Sequence, residues 1–208
     1  MVRKATLALG AAGGLLAAAG AWTLYQRSST EQTPYTVVAR PGDAELRRYP
    51  ATVLVETTAP SESVAFGRLF RYISGANEGS AEIPMTTPVE VAGRGTEIAM
   101  TAPVEVGTAE EEGVRMAFYL PAEYDLESAP RPTDEEVHLV AAPERTLAVV
   151  RFSWRPTRDR IESESERLLA TLERADIEST GEPLFMGYDA PWTLPFLRRN
   201  EVAVEVDA

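Results

Sequence analysis

The same order of patterns, strand-type alternation followed by a helix-type apolar face, occurs twice along this chain of 208 residues. In the first pass, residues 35–39 form a short apolar run, and residues 46–49 and 52–58 are β-rich, with Val53 and Val55 alternating against Leu54 and Glu56. Ser61 or Ser63 can then cap a helix. Its Val64, Leu69, Tyr72 and Ile73, with Phe66 and Phe70, make a broad apolar face, and Ser74-Gly75 stops it. In the second pass, residues 137–140 and 147–152 are strands, and Thr157 can cap a long helix to about Ala175. Ile161, Leu168, Leu169 and Leu172 point inward on that helix, and strands at 185–188 and 201–206 follow. This order predicts an α+β fold built on an antiparallel sheet.

Between the passes lies a local duplication. Residues 82–91 read EIPMTTPVEV and residues 97–106 read EIAMTAPVEV, identical at eight of ten positions. Two copies are too few for a solenoid. The turn residues between them predict two adjacent strands that lengthen the sheet, with Pro88 and Pro103 each marking an edge or bulge.

The absence of cysteine excludes disulfides, thiolate catalysis and cysteine metal sites, and the single histidine, His138, excludes a two-histidine metal centre. Nucleophile-elbow, phosphate-loop and dinucleotide glycine patterns are missing. Residues 1–30 hold Arg3, Lys4 and Arg27 and no acid, so residues 31–208 carry 17 basic against 32 acidic residues, a net −15. Such a body repels a phosphate backbone, and nucleic acid is not expected as a partner. An acid excess with only one lysine further predicts a halophilic protein, kept soluble in high salt.

Residues 5–26 are an uncharged run of Ala, Gly and Leu, about 33 Å long as a helix and so able to span a bilayer. A cleaved signal peptide would share the basic start and a small-x-small site such as Ala19-Gly20-Ala21. The length of the run and its flanking Trp22 and Tyr25 point instead to a retained anchor, residues 1–27, followed by a linker, residues 28–34. The positive residues before the run place the domain, residues 35–208, on the extracytoplasmic side of a membrane.

Several stretches carry a resemblance. They are Glu45-Leu46-Arg47-Arg48-Tyr49-Pro50, Phe70-Arg71-Tyr72-Ile73-Ser74-Gly75-Ala76-Asn77, both MT-x-PV segments, Phe118-Tyr119-Leu120-Pro121, Tyr188-Asp189-Ala190-Pro191-Trp192 and Arg198-Arg199-Asn200-Glu201-Val202. In that order they resemble the SOUL heme-binding family over about residues 35–206. The resemblance implies a distorted antiparallel β-barrel of two pseudo-symmetric halves with one helix each, related to effector-binding domains of transcription regulators. It also implies a monomer that binds heme or another tetrapyrrole in an apolar groove beside the first helix, where Phe66, Leu69, Phe70 and Arg71 stand. A basic position that some members use before the RRNE motif is Leu194 here, and the early strands lack the histidine proposed as an iron ligand in some animal members.

Taken alone, Phe66, Leu69 and Phe70 also suit an ordinary core face, and Arg71 an ordinary surface ion pair. Met85, Met100, Met116 and Met186 suit core filling as well as contact with a porphyrin. Arg198-Arg199 can clamp propionates or brace the sheet through carboxylates such as Glu201. His138, between Val137 and Leu139, points away from both. Two further function classes remain open. One is a hydrolase of the related effector-binding fold that uses a Glu/Tyr pair drawn from Tyr72, Tyr119 or Tyr188; the other is a peptide-binding interaction domain.

Overall fold

The computed structural model describes residues 30–92, 113–190 and 192–207. The expected anchor at 5–26 and the second MT-x-PV copy at 97–106 lie outside them. The strands are β1 (Glu31–Gln32), β2 (Thr36–Ala39), β3 (Glu45–Tyr49), β4 (Thr52–Ala59), β5 (Thr86–Thr87), β6 (Val89–Ala92), β7 (Val114–Tyr119), β8 (His138–Ala142), β9 (Arg145–Phe152), β10 (Leu184–Gly187) and β11 (Asn200–Glu205). Helix α1 (Glu62–Ile73) follows β4 and helix α2 (Arg158–Arg174) follows β9. Among the described residues no helix is long and apolar enough to cross a membrane.

Nine strands form one antiparallel sheet in the order β2-β3-β9-β11-β10-β6-β7-β4-β8, and β1 pairs parallel to β5 beside it. The pairing repeats about the central β6–β10 ladder: β4 pairs with β7 and β7 with β6, as β9 pairs with β11 and β11 with β10. The first strand of each unit is exchanged, since β3 joins β9 and β8 joins β4. Edge strands β2 and β8 do not meet, so the sheet is a curled half-barrel rather than a closed barrel.

Both helices pack on one face. Phe185 on β10 stands opposite Val91 on β6 in the ladder, and these two side chains belong to the α2-side and α1-side cores respectively. Under α1 lie Val53, Val55, Met116 and Phe118, with Leu69 and Tyr72 from the helix. Under α2 lie Ala148, Val150, Val202 and Val204, with Leu168 and Leu172. The Ser61 hydroxyl accepts from the Val64 N–H to cap α1 (3.4 Å). At its other end Gly75 takes φ +103°, a left-handed conformation open to glycine, and the Ala76 N–H returns to the Arg71 carbonyl.

Two sequence expectations need correction. Thr157 stands at the α2 N-cap, but its hydroxyl makes no capping bond. Leu169 is 37% exposed, because only Leu168, Thr171 and Leu172 of α2 turn fully inward. Strand β6, from the first MT-x-PV copy, is already paired on both sides, to β7 and β10. Pro88 does interrupt the strand, between β5 and β6.

Candidate functional site

The residues singled out on α1 divide between its two sides. Leu69 is fully buried and seats the helix on the sheet beside Tyr72. Phe66 and Phe70, four residues apart, stack on the outer side with centroids 5.9 Å apart and planes 13° from parallel. Phe66 also meets the buried Phe118 ring edge-on at 5.5 Å, while Phe70 remains 49% exposed. Gly67 lies in the same turn. A Cβ built there would meet only the Arg71 guanidinium, at 3.9 Å, so the helix surface beside the stacked rings has room for an added group. A helical glycine costs roughly 0.5–1 kcal/mol relative to alanine, so local helix stability does not favour this half-buried bare turn.

Two arginines flank the rings. Arg68 is turned inward and donates to the Thr58 carbonyl at 3.1 Å. Arg71 reaches Asp134 at 3.4 Å with its side chain well exposed, an ion pair easily exchanged for another anion. The helix end is pinned by Asn77, which donates to the Tyr72 and Ala81 carbonyls and accepts from the Ala81 N–H. The Tyr72 hydroxyl donates to the Pro130 carbonyl (2.8 Å), and burial pushes it up to about 12. His138 is exposed on edge strand β8 opposite Glu56, on the sheet face away from α1, since its neighbour Leu139 packs into the α1-side core. Met116 and Met186 fill cores, and Met85 packs against one.

The other face of the sheet holds a group of residues that the sequence did not single out as a set. Glu90 and Glu201 are completely buried there. Glu90 accepts from the Tyr119 hydroxyl and from Arg145, and Arg145 also donates to Tyr119 (2.7 Å). Glu201 accepts from Arg47 (2.7 Å), Arg199 (2.9 Å) and the Tyr188 hydroxyl (2.8 Å). Arg199 thus braces the sheet, and its guanidinium lies 3.8 Å over the Tyr188 ring. A signal was present, because Glu90 and Glu201 occupy strand positions that alternate with valines. For Glu201 the sequence offered Arg199, two residues away, but not Arg47, which is 154 residues away.

Glu/Tyr pairs are therefore present, but each glutamate is held by arginine. Burial, and then the neighbouring Glu90 or Glu201 charge, pushes the Tyr119 and Tyr188 phenols far up; burial also raises Tyr49. The stability contributed by Tyr49, Tyr72, Tyr119 and Tyr188 is whole below the ordinary phenol value of 10.0. It is lost as pH rises from there through their raised values. In an absorbance titration at the phenolate band, these four should ionise together with unfolding rather than before it. Phenolate appearing at all four in the folded protein would show that the polar interior is open to water.

A family model described as SOUL heme-binding protein matches residues 30–205. The chain belongs to the SOUL heme-binding protein family. Among curated proteins, this SOUL chain is 28% identical to human heme-binding protein 2 over 179 residues, 82% of either chain. It is 27% identical to heme-binding protein 1 of Xenopus tropicalis over 135 residues, 65% of either chain. Among solved structures it is similar to the EcmrR C-terminal domain, with a TM-score of 0.54 at 13% identity, covering 83% of this chain and 98% of that one. It is also similar to a hydrolase from Listeria innocua, with a TM-score of 0.52 at 11% identity, covering 82% and 94%. Those two likenesses concern the fold, the curled effector-binding-type sheet with two helices.

Proposed function

We propose that this SOUL-family chain binds heme or a related tetrapyrrole on the outer side of α1, with the domain anchored to a membrane through residues 5–26 on its extracytoplasmic side. The observation that carries the reading is the exposed Phe66–Phe70 stack flanking Gly67, with Arg71 at its rim. A porphyrin face covers the phenyl pair and the bare turn beside it, and a propionate exchanges with Asp134 at Arg71. Leu69 supports this surface from beneath. Human heme-binding protein 2 and Xenopus heme-binding protein 1 are named for the same ligand. A groove beside α2 suits such a ligand less: Glu166, Glu173, Asp176 and Glu178 line it and would repel propionates. The glutamates of the opposite face are fully buried and each is held by arginine, which does not favour the hydrolytic alternative.

The test is an absorbance titration of the protein in high salt with hemin and with iron-free protoporphyrin. Apolar contact supplies most of the binding here, so the two ligands should bind within a few-fold of each other. His138→Ala should leave affinity and the Soret band unchanged. Arg71→Glu should weaken binding by less than tenfold, and less still as salt rises, because a rim ion pair is screened. Loss of binding on His138→Ala, or binding of hemin alone, would overturn the site.

A further inference from the structure

The strand registers place the start of the described chain at one end of the sheet. Gln32 pairs with Thr87, just before β6; Val89 of β6 pairs with Gly187, Gly187 with Asn200, and Asn200 with Phe152. The chain start, the β10–β11 connection and the β9–α2 connection therefore share that end. A side-chain bond from Arg199 to Gln32 (3.1 Å) joins the first two.

Three exposed aromatic side chains gather at the same end: Trp192 is 72% exposed, Trp154 54% and Phe196 49%. The Trp154 N–H donates to the Pro195 carbonyl (2.8 Å) and its carbonyl accepts from Asn200 (2.7 Å), which ties the two connections together. Trp154 has φ +80°, a strained conformation for a bulky residue, and its indole stands in solvent instead of packing.

The local charge runs against that of the whole protein. Residues 151–160 and 188–199 hold six arginines against Asp159 and Asp189, with Arg199 held by Glu201, in a chain of net charge −12. Arg155, Arg158 and Arg160 are exposed and make no ion pair among the described residues. Arg158 and Arg160 lie in the first turn of α2, where the helix dipole disfavours cations. Residue 26, the last of the uncharged run, is four steps from Thr30, a reach of at most about 14 Å.

We propose that this end of the domain is a bilayer-contact surface that takes anionic phospholipid. Trp154, Trp192 and Phe196 enter the headgroup layer, and Arg155, Arg158 and Arg160 meet lipid phosphates. Exposed aromatics, cations placed against a helix dipole and a short tether to an apolar run all fit that partner. The proposal rests on the anchored reading above, and its test separates the two.

Full-length protein carrying Trp22→Phe, so that only Trp154 and Trp192 fluoresce, is reconstituted with phosphatidylcholine vesicles, with or without phosphatidylglycerol. Flotation in molar KCl reports the anchor alone; a chain left behind there overturns the anchored reading. Quenching by lipids brominated near the headgroups reports the surface, and low-salt flotation with phosphatidylglycerol vesicles reports it if the anchor fails. Blue-shifted emission and several-fold stronger quenching with phosphatidylglycerol are expected. Reversing Arg155, Arg158 and Arg160 to Glu should abolish the phosphatidylglycerol dependence. Trp154→Gly, which relieves the strained φ, and Trp192→Ala should each retain Tm and lose part of the quenching. Emission identical with brominated and unbrominated lipid would overturn the proposal, as would a failure of the charge reversal to alter the lipid dependence. Binding to duplex DNA without quenching in vesicles would overturn it too.

Discussion

Replacing Glu201 by glutamine is expected to cost about 3–5 kcal/mol of folding stability, the range for removing one partner of a buried ion pair. Glu201 is completely buried and accepts from Arg47, Arg199 and Tyr188 at 2.7–2.9 Å. The Arg47 and Arg199 side chains are only 5% and 13% exposed, so neither can recover its hydration once the carboxylate charge is gone. For a domain of this size the loss corresponds to roughly 6–20 °C in Tm. Asp43→Ala is the control. Its ion pair with Arg167 has both side chains about half exposed and is worth less than about 1 kcal/mol. Replacing Arg47 and Glu201 together by leucine should recover only part of the loss, because Arg199, only 13% exposed, still lacks its carboxylate. Denaturant unfolding of the four proteins decides the matter. A Glu201→Gln loss below 1 kcal/mol would mean that water reaches this face of the sheet.

Tetrapyrrole affinity should fall roughly 10- to 150-fold in Phe70→Ala, the equivalent of burying about 1.5–3 kcal/mol of aromatic surface against the ligand. Phe70 is the informative position because it is 49% exposed and rests mainly on Phe66, so its removal should leave the fold intact. Phe66→Ala should weaken binding as well, but it also removes the edge contact with buried Phe118 and costs stability. Gly67→Ala makes the complementary test. The added methyl should stabilise α1 slightly, by up to ~1 kcal/mol, and should impede a flat ligand lying over the rings and the turn beside them. Titration with hemin and a thermal melt on each variant separate the two effects. A folded Phe70→Ala protein that binds normally moves the site off α1.

Local patterns carried most of the elements and the direction of one face. The apolar spacing of residues 64–73 predicted α1, and Ser61, Gly75 and Asn77 end it as their chemistry requires. Val202, Val204 and Val206 alternate along the last strand, and all three pack under α2. Of the four α1 residues singled out, three share an exposed surface and Leu69 does not, although a helical repeat alone treats Leu69 and Phe70 as neighbours on one broad face. The ~100° step between consecutive residues makes the division, and only the position of the sheet shows where the boundary falls.

What the sequence by itself determined is therefore local and periodic: two strand-helix-strand passes, the ends of α1, the acidic excess, and the family to which the motifs point. Long-range contact decided the rest. An isolated strand such as β11 predicts one face packed and one face wet, so periodicity alone does not bury Glu201. The exchange of β3 and β8 between the units and the curl of the sheet bury that second face as well. A carboxylate buried there is stable only with counter-charges at hydrogen-bond distance. Arg47, Arg199 and Tyr188 reach it from three different places in the chain, and no local pattern records a partner 154 residues away.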